Sequence, residues 1–238
     1  MLPMKVIGLL GGMSWESTQT YYRLLNEKVR RQLGGLHSAR ILLYSVDFAE
    51  IAELQKADEW DAAARILSDA ARSVEQAGAD CLLIGTNTMH KVAPQIAGSI
   101  DIPLLHIMDA VGDAILADGR DCVGLLGTRF TMEQAFCVEK LEAKGISVLV
   151  PPSDERDQVH AVIFDELCQG VFKESSRTSF LGTVDRLREW GAQGVILGCT
   201  EIGLLINDSD TDVALYDTTE LHAQSAVDFA LGPEKKTI

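Results

Sequence analysis

Two stretches of the sequence place small polar residues directly after an apolar run: "LLIGTNTMHK" at 82–91 and "VILGCTEIGL" at 195–204. Aligned on Gly85 and Gly198, they set Thr86 opposite Cys199. A free thiol has a pKa of ~8.5 and is roughly a few per cent thiolate at neutral pH. A helix start at Thr200–Glu201 predicts a larger fraction, so Cys199 is a candidate acid or base. The bland reading of Cys199 is a buried structural cysteine. The Thr86 hydroxyl is a weaker acid. It can pass a proton from water or a neighbour, or it can cap the next helix. Asn87 and Thr88 can donate to a carboxylate, and the same residue types also make good turns. Two proton-handling groups on opposite walls of one cleft serve the two faces of a planar carbanion. That is what a cofactor-free racemase or epimerase needs.

Other chemistries find little support. The five cysteines (81, 122, 137, 168 and 199) form no CxxC pair, so neither a disulfide framework nor a zinc knuckle is signalled. Cys81 and Cys122 lie in or beside strand-like runs and read as small core hydrophobes. The five histidines make no HExxH or comparable ligand pair, and His90 reads as a capping or structural residue rather than a metal ligand. The glycine turn "GLLGGMSWEST" matches neither GxGxxG nor a P-loop. No metal and no cofactor is expected. Within that turn Ser14 can cap the first helix, and Met13 stands where a ligand would lie. A formal charge of −14 lacks the basic footprint that nucleic acid requires. It leaves room for a small anion held by backbone N–H groups. The apolar run of "MLPMKVIGLLGG" is too short for a signal peptide or a membrane span, and a reducing cytoplasm is the expected compartment.

These residues need strands and helices to position them. Short apolar runs predict strands at 5–10, 40–46, 80–85, 103–106, 121–126, 146–150, 194–197 and 213–216. Amphipathic stretches predict helices at 17–33, 59–77, 89–98, 109–118, 131–144, 155–168, 176–190 and 218–231. The acidic segment 47–60 reads as a solvated loop leading to a helix start. Alternating β and α units with near-continuous apolar strands predict an α/β fold with parallel sheets covered by helices. Ligands of such sheets bind at the carboxyl ends of strands. Both polar turns lie at such ends.

The sequence also repeats. "IGLLGGM" at 7–13 resembles "VGLLGTR" at 123–129, and "GADCLLIGTNT" at 78–88 resembles "GAQGVILGCTE" at 191–201. The offsets are 116 and 113, which suggests a duplicated α/β half. The halves are expected at 1–117, joined by 208–238, and at 118–207. A pseudo-two-fold relation between them would put the active site between the halves, with Gly85–Thr86 and Gly198–Cys199 as equivalent turns.

At these residues the chain resembles the aspartate/glutamate racemase family. The resemblance rests on "IGLLGGMSWEST", "HSARILLYSVDF", "GTNTMHK", "LGTRFTME" and "GCTEIGLL", in order across about 5–231. It implies two similar α/β domains, each a parallel sheet flanked by helices, often in a homodimer. It also implies racemisation of aspartate or glutamate without pyridoxal phosphate. Many relatives carry cysteine at both turns. Thr86 departs from that pattern and makes the chain most similar to the Thr/Cys branch found in enterobacterial aspartate/glutamate racemases. The resemblance implies Thr86 and Cys199 as the catalytic pair and Met13, Gln55, Asn87, Thr88, Thr200 and Glu201 as substrate contacts. Some relatives carry a lysine in the helix that here reads "FDELCQG", where this chain has Leu167 and Cys168. Hydantoin racemases, maleate isomerases and arylmalonate decarboxylases are enzymatic alternatives. A non-catalytic carboxylate-binding protein is a further one.

Overall fold

The computed structural model describes residues 3–232. They pack as two compact units. The first takes the chain through Ile107 and takes it up again from His222; the second is Met108–Leu221. Each unit is built on one parallel sheet.

In the first unit the sheet order is β2-β1-β3, with β1 Ile7–Gly11, β2 Ile41–Ser45 and β3 Cys81–Ile84. Every residue of β1 and β3 is buried, as expected for apolar runs covered on both faces. The edge strand β2 is half open. The expected strand at 103–106 is reduced to a parallel bridge between Leu82 and Leu104. Pro103 explains this in part: it has no N–H to give a ladder, although its carbonyl still accepts from Leu82 N at 2.9 Å.

Helices α1 Trp15–Leu33, α2 Phe48–Lys56, α3 Trp60–Gln76 and α4 Ala93–Ala97 follow these strands, the last preceded by a 3-10 turn at Thr88–Val92. The helix α2 corrects the reading of 47–60 as a solvated loop. Its start is fixed by Asp47, whose side chain accepts from Ala49 N, and it buries Ile51 completely. Acidic residues on its outer face hid that apolar anchor.

The second unit has the order β5-β4-β6-β7, with β4 Cys122–Gly127, β5 Ser147–Leu149, β6 Gly194–Gly198 and β7 Ala214–Asp217. Its helices are α5 Ile107–Ala117, which leads in from the first unit, then α6 Arg129–Glu133, α7 Ala135–Glu142, α8 Ser153–Asp165, α9 Glu174–Glu189 and α10 Ile202–Leu205. The single helix expected at 131–144 is broken at Gln134, whose backbone is extended (φ −95°, ψ 144°). Helix α11, Thr218–Leu231, returns to the first unit. There Ala223, Ala226, Val227 and Ala230 pack against Ile7, Leu9, Cys81 and Leu83. Their spacing puts small side chains on one helical stripe and lets α11 lie close to the sheet.

The repeat is visible as topology. With the Leu104 bridge beside β3, both sheets order their strands second, first, third, fourth. The partition differs from the halves expected at 1–117 with 208–238 and at 118–207. Strand β7 pairs with β6, so residues 214–217 belong to the second sheet, and the return to the first unit begins at His222. Residues 1–2 and 233–238 of that expectation lie outside the described residues.

His222 shows how the first unit is tied together. Tyr21 Oη lies 2.9 Å from Nδ1, and Nε2 lies 2.7 Å from Leu105 O. A carbonyl can only accept, so Nε2 carries the proton and Nδ1 accepts from the tyrosine. Burial, the largest cause, holds the imidazole down at about 4 rather than 6.5. The unfolded chain therefore takes up this proton first as pH falls. The associated stability is complete above pH 6.5 and is lost as pH drops through the window toward about 4. At 1.36 kcal/mol per pKa unit it amounts to roughly 3 kcal/mol. Urea unfolding followed across that window should show a steady loss of stability, and His222→Gln should flatten it. An equally steep profile in the variant would assign the loss to other groups.

Candidate active site

The first candidate turn leaves the sheet at the end of β3. Gly85 N donates to Leu10 O at 2.8 Å, and a Cβ on Gly85 would lie 3.0 Å from that same oxygen. Glycine is what lets the chain cross β1 this closely. The next carbonyls are all engaged. Gly85 O accepts from Ser17 Oγ at 3.1 Å, and Asn87 O accepts from His90 N at 3.1 Å. Thr86 O lies 2.9 Å from His90 Nδ1. His90 Nε2 accepts from Ile107 N at 3.2 Å. The two partners fix the tautomer, with the proton on Nδ1 donated to Thr86 O. Burial, then the neighbouring His106 and His222, push the His90 pKa well below its ordinary value, so the ring is neutral. Thr86 is partly exposed, whereas Asn87 and Thr88 are buried.

A second glycine-dependent turn follows β1. Gly12 has φ +91°, and a Cβ there would lie 2.2 Å from Val46 O. Its N–H donates to Thr18 Oγ1 at 2.7 Å. Ser14 caps α1 by accepting from Ser17 N at 3.2 Å. Met13 is buried in this turn. Gln55 is half-buried near the end of α2.

The other candidate turn leaves β6 in the second unit. Here too a Cβ on the glycine would meet a neighbouring carbonyl: Gly198 stands over Leu126 O at 2.8 Å. The Cys199 thiol donates to Glu201 Oε2 at 3.0 Å, and Thr200 Oγ1 donates to the same oxygen at 2.5 Å. Glu201 and Thr200 are buried and Cys199 is partly exposed. The expected helix-terminus effect on the thiol is overturned. Partial burial, then the Glu201 carboxylate and the nearby Cys168, push the Cys199 pKa well above the ordinary value. Helix α10 has four residues and offers little dipole, and a carboxylate stands between it and the sulfur. The resting side chain is a protonated thiol.

Each unit thus gathers its own part of the expected set. Thr86, Asn87 and Thr88 share one turn with Met13 and Gln55 elsewhere in the first unit; Cys199, Thr200 and Glu201 share one turn in the second. Sequence reasoning missed two roles. Ser17 ties α1 to Gly85, although its position three residues after the Ser14 cap gives no sign of a partner 68 residues away. Glu201 accepts a hydrogen bond from the Cys199 thiol. Its place two residues after Cys199 was visible, but the bend that folds its carboxylate back was not. Among the described residues, no group of three or more His, Cys, Asp or Glu side chains could hold a metal ion. No described helix is long and apolar enough to cross a membrane.

Known proteins share this architecture. The chain is 20% identical over 225 residues to the broad specificity amino-acid racemase RacX of Bacillus subtilis (strain 168), covering 93% of this chain and 96% of the relative. A crystal structure from Yersinia pestis, described as a candidate Asp/Glu racemase, is 51% identical and superposes with a TM-score of 0.91 over 96% of this chain and all (100%) of its own. PH1733 from Pyrococcus horikoshii OT3, an aspartate racemase homologue, is 35% identical with a TM-score of 0.86, covering 96% of this chain and 100% of its own. The model of the Asp/Glu/hydantoin racemases matches residues 10–226, from the end of β1 through the second sheet, and takes in both candidate turns. With two duplicated parallel sheets and a polar turn ending the matched strand of each, the chain belongs to the Asp/Glu/hydantoin racemase family and is an isomerase of that racemase class.

Proposed function

We propose that the protein racemises aspartate or glutamate without pyridoxal phosphate or metal, exchanging the Cα proton between Cys199 on one face and Thr86 on the other. The observation that carries the reading is the Cys199 thiol, protonated and bonded to Glu201 Oε2 at the end of β6, with Thr86 at the matching end of β3. When Cys199 acts as acid, its S–H proton goes to Cα. When it acts as base, the S–H proton first moves to Glu201 Oε2, and the thiolate then takes the Cα proton. Glu201 afterwards releases its proton to solvent, which balances the proton that Thr86 draws from water. When Cys199 has acted as acid, its thiolate is reprotonated from solvent by way of Glu201. Glu201 is thus the proton partner of the thiol rather than a simple substrate contact. Thr86 passes a proton between Cα and water on the opposite face. Asn87 and Thr88 donate to the substrate carboxylates, with Met13, Gln55 and Thr200 as further contacts, and so stabilise the charge that builds as Cα loses its proton. Five free cysteines and the absence of a membrane-crossing helix among the described residues support a cytoplasmic setting. A homodimer is supported by the apolar surface that a second copy would cover: exposed Trp15 and Tyr22 on α1, with Leu43 and Tyr44 on the edge strand β2.

The free enantiomers have equal energy, so kcat/KM must match in the two directions in every variant. Unequal kcat values are then offset by unequal KM values. Cys199→Ser should lower turnover by about 10²–10⁴-fold, the usual loss for a positioned acid–base group. Thr86→Ala should impair racemisation yet leave Cα deuterium uptake from D2O in one enantiomer, because Cys199 can still remove and return a proton on its own face. Thr86→Cys should make the site more symmetric. Full activity in Cys199→Ser, or wild-type racemisation in Thr86→Ala, would overturn the two-face reading.

A second measurement reads the thiol directly. Glu201 raises the Cys199 pKa through its charge and its hydrogen bond. Glu201→Gln should therefore move the pH profile of iodoacetamide alkylation at Cys199 to lower pH while turnover falls. An unmoved profile would remove Glu201 from the proton path.

A further inference from the structure

We propose that His90 is a positioning residue for Thr86: its imidazole fixes the carbonyl that follows Thr86, and with it the direction in which the Thr86 hydroxyl is presented. The inference rests on the racemase reading above. It comes from an asymmetry between the two repeated turns. In the second unit the Cys199 carbonyl is held by backbone, accepting from Ile202 N at 3.1 Å. In the first unit the matching Thr86 carbonyl is held by a side chain, His90 Nδ1–H at 2.9 Å. A side-chain contact can be removed without altering the chain trace, so the first turn is the adjustable one.

The imidazole suits this because both nitrogens are used. Nδ1 donates to Thr86 O while Nε2 accepts from Ile107 N at 3.2 Å. The far end of this staple is itself anchored. Leu105 N donates to Leu82 O at 2.9 Å, which ties segment 103–107 to β3. His222 Nε2 donates to Leu105 O at 2.7 Å, which ties it to α11. The ring is packed between His106 and His222, with centroids 4.5 and 5.7 Å away, and is buried. It has one orientation and one tautomer. Thr86 carries a weak acid, so its usefulness depends on placement more than on reactivity. A misplacement of about 1 Å can cost about 10²-fold in rate.

The test exploits the geometry of two amides. An asparagine amide stands near the place of Nδ1 and can keep the bond to Thr86 O. A glutamine amide stands near the place of Nε2 and can keep the bond to Ile107 N. Each variant loses one hydrogen bond, so their unfolding midpoints should be similar. We expect His90→Gln to lose about 10²-fold in racemisation. Deuterium uptake at the Cys199 face should persist in it, and His90→Asn should recover most of the lost rate. Equal racemisation rates in the two variants would overturn the proposal. So would a proportionate fall of exchange and racemisation in folded His90→Gln, which marks a purely structural role. Nitrogen-15 NMR of the wild-type protein gives a readout that needs no variant: the Nδ1–H tautomer is expected at His90, and the Nε2–H tautomer would overturn the clamp. If Thr86→Ala is impaired while His90→Gln behaves as wild type, this inference alone fails. If Thr86→Ala racemises normally, the catalytic reading fails and the role of His90 fails with it.

Discussion

Two glycines stand where a neighbouring strand's carbonyl crowds any side chain: a Cβ would lie 3.0 Å from Leu10 O at Gly85 and 2.8 Å from Leu126 O at Gly198. Each lies at the carboxyl end of a strand whose residues are all buried. The sheet can continue neither as an apolar run nor with a bulky residue at that point. The chain must turn out of the sheet, and the residue after each glycine stands at the sheet's carboxyl edge. Parallel sheets concentrate ligand sites at that edge because every strand ends its apolar run there. The placement of Thr86 and Cys199 is thus a consequence of packing before it is a matter of chemistry.

Duplication makes the two turns alike in trace, and the side chains then make them unlike in electrostatics. The first is held by neutral donors and acceptors: Ser17, His90 and the Ile107 amide. The second contains a buried carboxylate that takes both the thiol and the Thr200 hydroxyl as donors. A carboxylate next to a thiol has two opposed effects. Its charge keeps the thiol protonated, which favours donation to a carbanion. Its lone pair also offers the proton somewhere to go, which allows the thiol to act as a base. One residue thereby suits both directions of a reaction whose two ends have equal energy.

Much of this was legible in the sequence for a physical reason. Residues 7–11, 81–84, 122–127 and 194–198 are apolar runs too continuous for a sheet with one wet face, and all become strands flanked on both sides, β3 by β1 and the Leu104 bridge. The repeat offsets identified the matched turns, and the Ser14 cap followed from its place before α1. What escaped depended on contacts distant in sequence or on local competition. Helix α2 was masked because one buried Ile51 among carboxylates carries little periodic signal. The break at Gln134 interrupts a stretch whose composition suits a continuous helix. The boundary at His222 is set by bonds to Tyr21 and Leu105, 201 and 117 residues away. The raised Cys199 pKa was misread because helix position was weighed and the fold-back of Glu201 was not.

The net charge of −14 constrains how such a site can hold an acidic amino acid. Long-range attraction does not assist an anion approaching an acidic protein, and at ~0.15 M salt charges separated by more than about 8 Å are largely screened. Recognition must therefore be local. The side chains proposed for it, Asn87 and Thr88, are neutral donors, and Arg129, which follows β4, is already paired with Asp157 at 2.5 Å. Hydrogen bonds from neutral donors strengthen as charge moves from Cα onto the carboxylate oxygens. Binding energy that grows along the reaction coordinate accelerates the reaction, and binding energy that is the same throughout does not. Under the proposed racemisation, Asn87 and Thr88 would contribute most in the step in which Cα loses its proton, when the carboxylate oxygens gain charge.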